Sequence, residues 1–168
     1  MNVNYIDWND YTISISNSNL KEIVEQGVEL TDLTEEQLLN NSELTAQAEI
    51  NAYLAPVYDM VSEFAKNWDD ATDTRNKLVI LCCVNCSLYH LHCTISPRDV
   101  PEKIEKLYEH CMDKLEAARR GEIDFGLNPR PEDEGGKTDW RSLGSNYKFT
   151  SKPFTDTRFV NADGTPNE

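Results

Sequence analysis

The 168-residue chain carries 30 Asp and Glu against 16 Lys and Arg, a formal charge of −14, and only 39% of its residues are hydrophobic. That balance argues against coating nucleic acid or an anionic membrane, because phosphate binding needs clustered Lys and Arg. The length suits a single domain, and the low apolar share leaves room for a small core beside an extended part.

The acidity is uneven. Residues 1–121 hold 21 acidic and 10 basic side chains, or −11, and residues 122–168 hold 9 and 6, or −3. The charge therefore belongs to the expected folded part rather than to an acidic tail. The opening MNVNYIDWND is polar and acidic, unlike a secretory signal. No run of about 18 apolar residues is expected to cross a bilayer, so no membrane partner is expected. Three of the five cysteines fall within Cys82–Cys86 and a fourth is Cys93, unlike a disulfide framework, which favours a reducing compartment.

In chain order, residues 1–17 read as an N-terminal extended arm. Tyr11, Ile13 and Ile15 alternate with Thr12, Ser14 and Ser16, the period of a strand. Such an arm either adds to a neighbouring chain or lies on its own domain. A helical core is expected over residues 18–121. Ser18 or Asn19 suits the cap of a short helix bearing Leu20, Ile23 and Val24, with Gly27 as its stop. Thr34 and Gln37 have capping-box spacing, with Glu35 and Glu36 in the first turn. Leu39, Ala46, Ile50, Tyr53 and Leu54 then share a face, and Pro56 ends or kinks the helix. A further helical turn or two is expected over 57–66, and a polar loop over 67–73.

The stretch RNKLVILCCVNCSLYHLHC (Arg75–Cys93) is apolar nearly all round and reads as a buried central helix stopped by Pro97. A last helix is expected from Pro101 to Arg120, its stripe made by Ile104, Leu107, Tyr108, Cys111, Leu115 and Ala118 and its cap by Gly121. Ile104, Leu107, Cys111 and Leu115 are expected to pack on Leu78–Leu91. The fold class is thus mainly α: a small bundle of four or five helices with an extended arm and a long extended C-terminal tail. Residues 122–168 form that tail. They hold four of the seven Pro and five of the seven Gly, yet also Trp140, Tyr147, Phe149, Phe154 and Phe159. A disordered tail is usually poor in aromatics, so the segment reads as a strap that orders against its own core or, preferentially, a neighbouring subunit.

Chemistry-bearing groups gather at Cys82, Cys86, His90 and Cys93, which run at i, i+4, i+8 and i+11 on one helical face. Thiolates and imidazoles are zinc ligands, so a zinc-stabilised protein-binding or regulatory module is the alternative reading. Buried cysteines acting as small apolar fillers are the favoured one, with no metal and no cofactor. No phosphate loop, nucleophile elbow or dinucleotide fingerprint occurs, and nothing supports an enzyme. The expected contacts to subunits or partners are Tyr5, Trp8, Tyr11 and Ile13 in the arm, and Trp140, Tyr147, Phe149, Phe154 and Phe159 in the strap.

Three stretches in order, AEINAYLAPVY (Ala48–Tyr58), LCCVNCSLYHL (Leu81–Leu91) and YEHCMDKLEAARRGEIDFG (Tyr108–Gly126), carry a family resemblance. Together, and most specifically through Met112, Leu115, Gly121 and Ile123, they resemble the head–tail connector, or head-completion, proteins of tailed bacteriophages in the Mu-type prophage branch. That resemblance implies a structural virion protein, a homo-oligomeric ring of usually about twelve copies joined by heterologous contacts. It would extend and seal the DNA channel below the portal and dock the tail. The implied partners are the portal protein, tail or further connector-ring proteins, and genomic DNA passing without specific binding. The implied location is the neck of the virion, after assembly in the host cytoplasm. An acidic wall suits such a channel, since it repels phosphate and lets the duplex slide.

Overall fold

Capping chemistry decides where the helices begin. The computed structural model describes residues 5–69 and 71–131. Within them stand a 3-10 helix, Trp8–Ile13, and five α-helices: α1 (Asn17–Thr31), α2 (Glu35–Leu54), α3 (Met60–Phe64), α4 (Lys77–Ile95) and α5 (Glu102–Arg119). The protein is mainly helical, and no strand occurs among the described residues. The side chain of Ser16, not Ser18 or Asn19, caps α1 by accepting from the Asn19 N–H at 3.3 Å. Thr34 and Gln37 form the expected capping box at 3.0 and 3.2 Å. Asn76 caps α4 by accepting from the N–H groups of Leu78 and Val79. At the far end of α5, Gly121 adopts φ 76° while its N–H bonds to Ala118 and that of Glu122 to Ala117, a Schellman ending.

Two sequence expectations fail here for packing reasons. Gly27 does not stop α1, which continues to Thr31 and ends at Asp32 with φ 57°. Gly27 is buried inside the helix, where an added Cβ would lie 2.4 Å from Leu38 Cδ2 and 3.0 Å from Ile95 Cδ1. The glycine is there for close approach, not for a turn. The N-terminal residues are not a strand either. Tyr11 is 1% exposed and Ile13 is 55% exposed, whereas a strand would put both on one face. Asp7 and Asp10 instead close a capping box around the 3-10 helix, and Tyr5, Ile6 and Tyr11 enter the chain's own core.

α4 is the central element, packed by α1, α2, α5 and the 3-10 helix. Val79, Ile80, Cys82, Cys83, Val84, Cys86, Leu88 and Leu91 are all buried, each large aliphatic side chain contributing about 1.5–3 kcal/mol. By length and composition alone α4 is apolar enough to cross a bilayer, against the expectation of no such run; its mean hydropathy is 1.7 and 56% of it is buried inside the bundle. On α5, Ile104, Cys111, Leu115 and Ala118 face the core and Tyr108 is half-buried. Leu107 falls off that stripe and lines a shallow hollow with Glu102, Lys103, Lys106 and His110. On α2 it is Leu38 rather than Leu39 that is fully buried.

The first part of the expected strap binds the helical unit. Phe125 is buried, its carbonyl accepts from Asn76 Nδ2 at 2.7 Å, and Tyr58 bridges antiparallel to Pro129. The compact unit accordingly runs to Pro131.

Candidate functional site

The polar groups that penetrate this core converge on the N-terminal segment. Tyr5 and Tyr11 project from it on either side of Asp7–Asp10, and each phenol meets a buried glutamate. Tyr5 donates to Glu63 Oε1 at 2.5 Å. The same Oε1 accepts from the Asn76 N–H at 2.6 Å, and Lys66 pairs with the other oxygen. Burial pushes the Glu63 carboxyl up, but the bonds from Lys66, Tyr5 and Asn76 outweigh it and hold the group below its ordinary range. Arg75, 6% exposed, completes this end. It donates to the Tyr5 carbonyl and to Asp10, both at 2.7 Å, and to Asp73 at 2.9 Å. Hydrogen bonds from Arg75 and Lys77 in turn hold Asp73 well below the usual carboxylate range.

The second pairing is built differently. Tyr11 donates to Glu43 Oε1 at 3.0 Å and lies 2.8 Å from Ser87 Oγ, which donates to Ser42 Oγ at 3.2 Å. Glu43 is 4% exposed, and its Oε2 has no hydrogen-bond partner. Burial pushes its carboxyl up to about 7, with Asp7 and Asp10 adding to the rise and the Tyr11 bond opposing it. Beside it Ser14 Oγ donates to Asn85 Oδ1 at 2.5 Å, tying the end of the segment to α4.

A third carboxylate, Glu49, joins α2 to α4 and α5. Tyr108 donates to its Oε1 at 2.7 Å, His90 Nε2 lies 3.0 Å from its Oε2, and Tyr108 stacks on Tyr89 at 4.0 Å. Nothing in this geometry supports the zinc alternative. No group of three or more His, Cys, Asp or Glu among the described residues is placed to hold a metal. Cys82 and Cys93 are separated by roughly 16 Å of helical rise, whereas zinc ligands all lie about 2.0–2.3 Å from the metal. His90 is turned to Glu49, and Cys82 donates its S–H to Cys111, raising its own proton affinity and lowering that of Cys111. Cys82, Cys83, Cys86 and Cys111 are buried, and Cys93 is partly so.

Of the expected contact residues, Tyr5 and Tyr11 are consumed inside the chain, Trp8 is half-buried and Ile13 is exposed. Trp140, Tyr147, Phe149, Phe154 and Phe159 lie outside the described residues. Sequence reasoning passed over Glu43, Glu63 and Arg75. A signal existed for Glu43, which stands in register with Ala46, Ile50 and Leu54 on the buried face of α2. The outer surface is strongly polarised. Glu22, Glu25, Glu29, Asp32, Glu35 and Glu36 are all exposed on and between α1 and α2, and Lys21 is the only base in residues 17–54.

The fold and its interior thus define a small helical protein that spends its buried polar groups on holding its own N-terminal segment, beneath an acidic exterior. Residues 5–141 match the family model described as bacteriophage Mu, Gp36. The chain belongs to that family of phage proteins, which points to a part in the virion or its morphogenesis. No curated protein matches the chain, and no solved structure does.

Proposed function

We propose that this protein is a structural, non-catalytic component of the phage neck. Copies join into a head–tail connector ring below the portal, extending and sealing the DNA channel and docking the tail. The observation that carries this reading is the phage-family match over residues 5–141. The surface supports it. Residues 5–131 hold 23 acidic and 11 basic side chains, and the acidic excess of α1 and α2 gives a wall that repels phosphate. Exposed Ile13, Leu30 and Val61 offer apolar contacts to neighbours. Residues 135–159 carry the aromatics of the strap together with Lys137, Arg141, Lys148, Lys152 and Arg158 against Asp139 and Asp156. A basic, aromatic segment is complementary to the acidic helical unit of an adjoining copy.

The partners in this reading are further copies of the chain, the portal protein, tail or further connector-ring proteins, and genomic DNA threaded without specific binding. Mixing purified protein with portal and imaging the product by electron microscopy tests it. A ring seated on the portal is the expected product. A chain that stays monomeric and never joins the portal overturns the reading.

A further inference from the structure

Glu43 stands apart from every other buried acid in the described chain. Its Oε1 takes one bond, from the Tyr11 hydroxyl, and its Oε2 takes none although the residue is 4% exposed. From the N-terminal segment it faces Tyr11 and the carboxylates of Asp7 and Asp10; from α4, the Cys83 thiol and Ser87; from its own helix, Ser42. None of these is a cation. Arg75, the buried base of this end of the molecule, is committed to Asp10, Asp73 and the Tyr5 carbonyl. A carboxylate in that setting has one donor and two neighbouring like charges, whereas a carboxylic acid is tolerated.

The geometry points to Glu43 as a proton-gated latch: protonated, it holds the last turn of the Trp8–Ile13 helix, from Tyr11 on, against α2 and α4; ionised, it lets that turn go. The Tyr5 end stays anchored when the latch opens, because Glu63 there is compensated by Lys66 and Asn76. Arg75 likewise keeps hold of Asp10, so what is released is the stretch from Tyr11 to Ile15, which turns the Tyr11 face outward and bares the Ser87 and Asn85 side of α4. A protein whose surface near α2 changes with a single proton has a means of presenting one face during assembly and another afterwards.

Hydrogen exchange followed by mass spectrometry on the full chain tests the latch. The segment around residues 11–15 is compared with the middle of α4, after correction for intrinsic rates. Between about pH 5 and pH 8, protection of the segment falls on the order of a hundredfold, since one released proton changes the opening equilibrium by about tenfold per pH unit, while the middle of α4, which opens only with the whole domain, stays the better protected of the two throughout. Glu43→Gln, neutral at every pH, keeps the segment protected throughout. A segment whose protection is flat with pH in the natural protein, or that falls equally in Glu43→Gln, overturns the proposal. If that variant does not fold, the carboxyl shift of Glu43 in carbon-labelled natural protein decides. A midpoint near neutrality that tracks the loss of protection supports the latch, and a midpoint in the ordinary carboxylate range overturns it.

Discussion

The two tyrosine–glutamate pairings that hold the N-terminal segment use the same side chains to opposite electrostatic ends. At Tyr5, Glu63 receives a backbone N–H and a lysine besides the phenol, and its carboxylate is stabilised. At Tyr11, Glu43 receives the phenol alone, and its acid form is stabilised. Burial acts on both in the same direction. The difference is the compensating charge, so the donors and charges around a buried carboxyl, together with its desolvation, decide whether it is an anchor or a switch.

The largest effect should come from breaking the compensated pairing. Glu63→Ala strands the Tyr5 hydroxyl, the Asn76 N–H and Lys66 together, and a loss of about 3–5 kcal/mol in urea unfolding at neutral pH is expected. The same truncation at Glu43 should cost much less at that pH.

Next comes the pH dependence. Glu43 binds its proton more tightly folded than unfolded, so its stabilisation is complete below about 4.5 and is lost as pH rises to and through about 7. Unfolding free energies from about pH 5 to pH 8 should decline by about 2–3 kcal/mol on this account. Glu43→Gln should remove that slope. The lowered Glu63 acts in the other limb, its contribution present above the ordinary carboxylate range and lost as pH falls below it. A natural protein with no decline toward pH 8 would erase the contrast between the two sites.

Smaller effects sharpen the comparison. Tyr11→Phe removes the one donor to Glu43 and should cost about 1 kcal/mol near pH 6 by denaturant titration. It should also raise the Glu43 midpoint further, since the Tyr11 bond is what opposes the rise. Lys66→Met should make Glu63 resemble Glu43. Its titration midpoint, followed by carbon NMR, should climb, with a stability loss of no more than about 1 kcal/mol because Lys66 is partly exposed.

Much of the helical unit was legible because local chemistry dictates it. The Thr34–Gln37 box, the stop at Pro97, the α5 stripe and the Gly121 ending depend on residues within a turn or two of each other. The errors came where a residue answers to something distant. Gly27 resembles a stop until Leu38 and Ile95 press on it. Tyr11 and Ile13 share a period-two rhythm that the Asp7–Asp10 box overrides, sending one inward and the other out.

The site was less legible than the fold. Glutamates at 43 and 63 look like two among many acids in so acidic a chain, and only the helix register hinted that Glu43 points inward. Composition and helical periodicity determined on their own that this is a mainly helical protein with an acidic exterior and an apolar central helix, since those depend on charge counts and short-range spacing. The Glu63–Lys66 pair is a local i,i+3 spacing, but only the tertiary structure decided which carboxyl is buried against which phenol. Residues 5 and 76 meet the local pair 63 and 66 in one place, and 11 and 87 meet 42 and 43 in another, through long-range packing around α4. The balance of desolvation and donors at each place exists only once the chain has folded.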